Sequence, residues 1–559
     1  MKASKFIRFL KNRLFLVLVM IFVLLLPCSG YTQQEEEVKA IRHTVLLPYY
    51  IDPAVGSDFT GSIILCNIYD SLVFPNRDGS VKPLLAKSWE ISEDGLTYTF
   101  ELVSGVKFHN GDELTADDVV FSLNRIITIG EGFGYLFSTS VEEAKALEKY
   151  KVQITLKKPF GPFLGTLVRL YILNENQVMS NIKKEGPYGE FGDYGKEWLA
   201  WHDAGSGPYK VKELKPEEYF LMEQFNDYWA GWENKDAPQY VKEIGTTDPI
   251  TVRTLVSRGE LEITDSYQLP ENLSIIDQIP NTEVSSLFFG SVQYILMNNK
   301  KPPTDDIHFR KALAYCIDYE QIIKQAYPGS LPAALVSSFV PGCNPDVKPV
   351  KMDLAKAEEE IKQSPYYGKL DQYPFELHWN SNNLLKGKIA LIVQANAAKV
   401  GIKVDIVKLP WLSLVENAAK MESTPTGAII AVAPHYAEAG TVLESMYHSN
   451  SCGTYEQAVW WQDPEIDAII EDAINTIDQK ERFQKYYAIQ EKIANFFPYI
   501  NLADYAVSQA HRSDYVVFPD VEAIKQGQPC NPYMGYHFYY RNFKVMPEKA
   551  QEPYTPFKP

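Results

Sequence analysis

Between Leu96 and Ile127 the sequence changes its period, and this switch constrains the fold more than any other single feature. In "LTYTFELVSGVKFHNG" (Leu96–Gly111) the apolar residues Leu96, Tyr98, Phe100 and Leu102 alternate with polar ones, as on a half-buried strand. "SG" interrupts the pattern, and Asn110-Gly111 closes it with a turn. "LTADDVVFSLNRII" (Leu114–Ile127) then reads as a helix. Thr115 is its N-cap candidate, Asp117 and Asp118 stand in the first turn, and Val119, Val120, Leu123 and Ile126 or Ile127 share an apolar face. "DPEIDAIIEDAINTI" (Asp463–Ile477) and "KERFQKYYAIQEKIANFF" (Lys480–Phe497) carry the same helical spacing. A run rich in Gly and charge, "KKEGPYGEFGDYGKEW" (Lys183–Trp198), reads as an exposed loop before "GSGPYKVKEL" resumes a strand. The chain is thus a mixture of short strands and helices throughout, without internal repeats.

At 559 residues, with 45% apolar content, the chain can bury sizeable cores but is too long for one compact domain, so two or three are expected. A formal charge of −17 argues against nucleic acid, whose binding rests on Lys and Arg neutralising phosphates, and against an anionic lipid surface.

The first thirty residues differ from the rest. Lys2, Lys5, Arg8, Lys11 and Arg13 precede the apolar run Leu14–Leu26, and small polar residues follow at "PCSG". This is the pattern of a secretory signal peptide over residues 1–30, because the apolar run is shorter than the roughly 20 residues that cross a bilayer. Cys28 lies where a lipoprotein would carry its lipid, whereas Pro27 departs from the small residue usual before such a cysteine. Two routes therefore stand: lipidation at Cys28, or cleavage after Gly30. In both, the product leaves the cytoplasm, for the periplasm or the outer face of the cell membrane. The five later cysteines lack CxxC spacing, Cys316 reads as a small core residue, and one disulfide among the others is compatible with an oxidising compartment.

Several stretches together carry a family resemblance. "LLAKSWEISEDGLTYTFELVSGVKFHNGDELTADDVVFSLNRI" resembles the signature of the peptide and nickel class, family 5, of extracytoplasmic solute-binding proteins, which deliver ligands to ABC importers. "GSGPYKV" (Gly205–Val211), "NDYWAG" (Asn226–Gly231), "FRKALAYCID" (Phe309–Asp318) and "FFPYINLADYA" (Phe496–Ala506) follow in the family's order. The resemblance implies an α/β fold of the two-lobed periplasmic-binding-protein type (type II, cluster C-like) with an additional third domain. Projected onto this chain, the first lobe takes residues 35–69, 203–293 and 502–558, the additional domain 70–202, and the second lobe 294–501. The implied function is capture of a short oligopeptide between the lobes and its delivery, by a monomer, to an inner-membrane ABC permease.

The same resemblance suggests site residues. Trp411, in "LPWLSLVENA", stands where peptide-binding members place a Trp before the ligand strand of the second lobe. In those members a later Gly-Trp-x-x-Asp-Tyr stretch pairs its carboxylate with the peptide ammonium. Here the matching residues are "AVAPHY", so Val432 replaces the Trp, His435 replaces the Asp, and Tyr436 is retained. A neutral imidazole offers one donor and one acceptor in place of a charge. Glu438 is then a candidate for the missing negative charge; alternatively the ligand lacks an ammonium, as an oligosaccharide does. Trp460 and Trp461 are further candidates, since indoles stack on sugars as well as on peptide side chains.

Other chemistries fit less well. Nickel-chelate binders occur in this family, but His435 and His448 lack the i, i+4 spacing of an HExxH site, and no metal or cofactor is expected. A secreted hydrolase is disfavoured too. "AGSGPY" around Ser206 is not a GxSxG elbow, no phosphate-binding GxxxxGK[ST] occurs, and the adjacent pairs Asp117–Asp118 and Asp305–Asp306 read as helix starts.

Overall fold

The computed structural model describes residues 37–48 and 50–559. The expected leader, Cys28 and the opening residues assigned to the first lobe lie outside them. Three sheets organise what is described.

The first sheet gathers distant parts of the chain. Ala40–Val45 is buried along its whole length, as a strand covered on both faces must be, and lies parallel to Tyr240–Gly245. Tyr219–Gln224 and Tyr209–Lys215 continue this ladder antiparallel. On the other side Ile263 bridges both His43 and His511, which brings in the antiparallel pair Thr282–Leu287 and Val507–Arg512. The start, middle and end of the chain therefore meet in one lobe.

The second sheet has the order Val404–Leu409, Phe375–Asn380, Gly427–Val432, Val292–Met297, Tyr499–Asp504. Its first three strands run parallel to one another, and the last two close it antiparallel. Helices Ile307–Cys316, Tyr319–Ala326 and Leu384–Ala397 cover a core that includes Cys316. The limits expected for this lobe, 294 and 501, fall inside Val292–Met297 and Tyr499–Asp504, because the sheet needs both strands whole.

Those two strands also define the passage between the lobes. Leu287 pairs with Val507 in the first sheet, and Val292 pairs with Asp504 in the second. One two-stranded ribbon thus runs through both lobes, interrupted only at residues 288–291 and 505–506, where Tyr505 N–H still donates to the Ser291 carbonyl (3.2 Å).

The third sheet, Ala86–Ile91, Thr97–Leu102, Lys151–Leu156, Val141–Glu148, is antiparallel. Thr97–Leu102 alternates buried and half-buried residues as its sequence pattern requires. Helix Ala116–Ile129 starts at Thr115, whose N–H and hydroxyl both donate to the Asp118 carboxylate (2.8 and 3.1 Å), and stops at Gly130 in the left-handed region. A buried ion pair, Arg125 with Asp52 (2.6 Å), fastens this helix to the segment after the first strand. The Lys183–Trp198 run is largely exposed, as expected, but it is tied at its ends. Asp193 accepts from the N–H groups of Lys183, Gly195 and Glu197, and Tyr194 is buried against Phe121.

The disulfide compatible with the sequence does not form: all five described cysteines are free. No helix among the described residues is long and apolar enough to cross a membrane.

Candidate functional site

In sheets with parallel strands, ligands bind beyond the strands' carboxyl ends. The three parallel strands of the second sheet all end at one cavity of about 650 Å³: Phe375–Asn380 delivers Asn380, Val404–Leu409 leads to Trp411, and Gly427–Val432 leads to Ala433 and His435. The first lobe supplies the facing wall from Val45–Pro48, Asp58–Thr60 and Ser266–Tyr267. Between them lie Ser291 and Tyr505 of the interrupted ribbon, so the passage between the lobes is also the floor of the cavity. A smaller cavity of about 360 Å³ shares Ser266, Tyr327, Leu385, Tyr505 and Val507 with it.

Aromatic rings line much of this space. Trp411 meets Tyr455 edge-on, with ring centres 5.0 Å apart, and Tyr327 lies 4.9 Å from Tyr505. Such rings present large contact area at low entropic cost and stack on flat or apolar groups.

Charge enters at helix starts. Asp58 caps helix Phe59–Ile68 by accepting from Gly61 N–H (2.9 Å), and burial raises its carboxyl pKa. Asn383 caps helix Leu384–Ala397, and Lys386 follows in the first turn. Lys386 is only 6% exposed, and its ammonium lies 5.9 Å from the Trp411 ring. Its ammonium has no hydrogen-bond or ion-pair partner among the described residues, and burial pushes its pKa down to about 7.

The residues singled out from the sequence divide into two groups. Trp411 and His435 line the cavity. The polar atoms of His435 are occupied elsewhere: Nδ1 meets the Tyr135 hydroxyl, Nε2 faces the Glu456 carboxylate at 3.2 Å, and its carbonyl accepts from Arg169 (2.9 Å). Burial would raise the Glu456 carboxyl, but the adjacent imidazole and the hydrogen bonds from Ser445 and Tyr455 hold it below the usual range. Tyr436, Glu438, Trp460 and Trp461 are not part of the cavity wall. Tyr436 is buried beside Phe160. Glu438 makes a two-pronged pair with Arg482 (2.6 and 2.8 Å), so its charge is already matched. Trp460 donates to Thr424 (2.8 Å), and Trp461 packs on Phe496.

Sequence reasoning missed Asp58, Asn380, Lys386 and Tyr455. A signal was present for two of them: "HWNSNNLLKGK" places an Asn-rich turn between a β-rich run and a helical one, the junction where α/β sheets present ligands. Among the described residues no group of three or more His, Cys, Asp or Glu side chains could hold a metal ion.

Comparison with known proteins agrees with this architecture. Residues 80–453 match the family model for bacterial extracellular solute-binding proteins, family 5, middle region, and the chain belongs to that family. The glutathione-binding protein GsiB of Pectobacterium atrosepticum is 26% identical over 486 residues, covering 84% of this chain and 90% of the relative. A probable D,D-dipeptide-binding periplasmic protein, DdpA of Escherichia coli, is 26% identical over 468 residues, covering 81% and 86%. Among solved structures, the periplasmic binding protein DppA of Helicobacter pylori, in complex with the peptide STSA, superposes with a TM-score of 0.78 at 24% identity, covering 92% of this chain and 99% of that one. The fold is thus that of two lobes with an additional domain.

Proposed function

We propose that this protein captures a short peptide outside the cytoplasm and hands it to an ABC permease. The observation that carries this reading is the cavity itself: about 650 Å³, walled from both lobes and floored by the link between them. That volume lies within the range of small-ligand sites, and closing two lobes on a solute removes most of its surface from water. Relatives named for glutathione and for a D,D-dipeptide support a peptide as the solute.

Thermal-shift screening with di- to pentapeptides and with oligosaccharides of matched size tests the reading. A peptide at 100 times its dissociation constant should add about 2.7 kcal/mol to unfolding. A shift from a sugar with none from any peptide would overturn the peptide assignment. Delivery is checked by uptake of the identified peptide in cells lacking the cognate permease, where uptake should cease.

A further inference from the structure

Among the described residues Lys386 is the one buried charge on the cavity wall without a partner. Other buried cations have partners: Arg125, Arg42 and Arg482 are matched by Asp52, Glu262 and Glu438, and Arg169 and Arg310 donate to backbone carbonyls. Among the described residues Lys386 has neither a carboxylate nor a carbonyl at bonding distance of its ammonium, and the Trp411 ring lies 5.9 Å from it. Burying a lone ammonium is costly, and helix Leu384–Ala397 gains nothing from holding a cation in its first turn, where the helix dipole is already positive. The same corner contains Asn380, 6% exposed, whose side-chain oxygen accepts no hydrogen bond.

These features share one explanation. We infer that the start of helix Leu384–Ala397 is an anion subsite: a carboxylate of the solute pairs with the Lys386 ammonium beside the Trp411 ring, with Asn380 accepting an N–H or O–H of the same solute. The inference rests on the cleft being the solute site, but not on the solute being a peptide. Two features favour an anion here: a cation left unmatched among the described residues, and the positive end of a fourteen-residue helix, whose Lys386 N–H is itself taken up by the Asn383 cap. A singly charged carboxylate fits better than a phosphate dianion. Among the described residues Lys386 is the only buried lysine or arginine on this wall, Lys215 being exposed, and the cavity also holds the carboxylates of Asp58 and Glu217.

Matched acid and neutral probes test this on the full chain by thermal shift and calorimetry: trialanine and its C-terminal amide, digalacturonate and its methyl ester, glutarate and glutaramide, and inorganic phosphate. In every pair that binds, the acid should bind at least tenfold more tightly than its neutral partner. Lys386→Met should abolish that preference, and Lys386→Arg should keep most of it. Ligand-free K386M should unfold at a higher temperature than the wild type, a result that a structural role for the ammonium would reverse. Equal binding of acid and neutral probes, a preference surviving in K386M, phosphate binding in place of carboxylates, or no acid stabilising the wild type would each overturn the subsite. Preference for the sugar acid or glutarate without any peptide binding would leave the subsite standing and remove the peptide reading.

Discussion

Burial lowers the Lys386 ammonium from its ordinary 10.5 to about 7, and the sign of the resulting pH dependence follows directly. Between about pH 7 and 10.5 the unfolded chain binds a proton that the folded chain has released, so this group makes stability rise with pH across that window. Below pH 7 both states carry the proton, and the penalty is constant. Urea melts at pH 6, 8 and 9.5 should therefore show the excess stability of Lys386→Met over wild type largest at pH 6 and shrinking toward pH 10. A bound carboxylate raises the same pKa, so binding takes up a proton, and affinity for an acid probe should fall above pH 7 by up to about tenfold per unit. Calorimetry in two buffers of different ionisation heat measures that uptake. His435 calls for a different experiment. Its imidazole shields the buried Glu456 carboxylate, so His435→Ala should destabilise the unliganded protein by about 2–4 kcal/mol, and adding Glu456→Gln should recover part of the loss.

At the scale of elements, legibility followed local chemistry. Helix Ala116–Ile129 was readable because its start, apolar face and stop are all encoded within the segment, at Thr115, Val119 to Ile126, and Gly130. Asp118 takes the N–H groups of both Thr115 and Glu175 (2.8 and 3.0 Å), so Asp118→Ala should cost about 1–2 kcal/mol in a denaturant melt, against a few tenths for the exposed Asp117→Ala. The alternation in Thr97–Leu102 was equally plain. Val292–Met297 is buried at every position, so its sequence shows no period and gave no sign that the second lobe begins there. The candidate site was legible only in part. Trp411 and His435 stand at strand ends that the family pattern marks, whereas Lys386 looks like any surface lysine until the fold encloses it. Glu438 shows the converse. In sequence it was a free charge near His435, and only the packing of helix Gln479–Ala494 reveals that Arg482 takes both its oxygens.

Across the whole molecule, one side chain ties together segments far apart in the sequence. Arg169 is fully buried, and it donates to the His435 carbonyl beyond the second sheet's strand Gly427–Val432 and to the Met534 carbonyl near the end of the chain (2.9 Å each). Lysine cannot span both acceptors with a planar fork. Arg169→Lys should therefore release one tie, favour separation of the lobes, and weaken any cleft solute roughly tenfold. Small-angle scattering of the solute-bound protein should show a larger radius of gyration than wild type at equal occupancy.

The interrupted ribbon sets how such a separation can proceed. A single strand between lobes would let them twist and slide as well as swing. Two paired strands broken at the same level, residues 288–291 and 505–506, leave rotation about one line. Because Ser291 and Tyr505 at that break also floor the cavity, a solute only a few atoms across presses on the axle itself. Its presence is then transmitted to the far rims of both lobes as a single angle, the simplest quantity a membrane partner could measure.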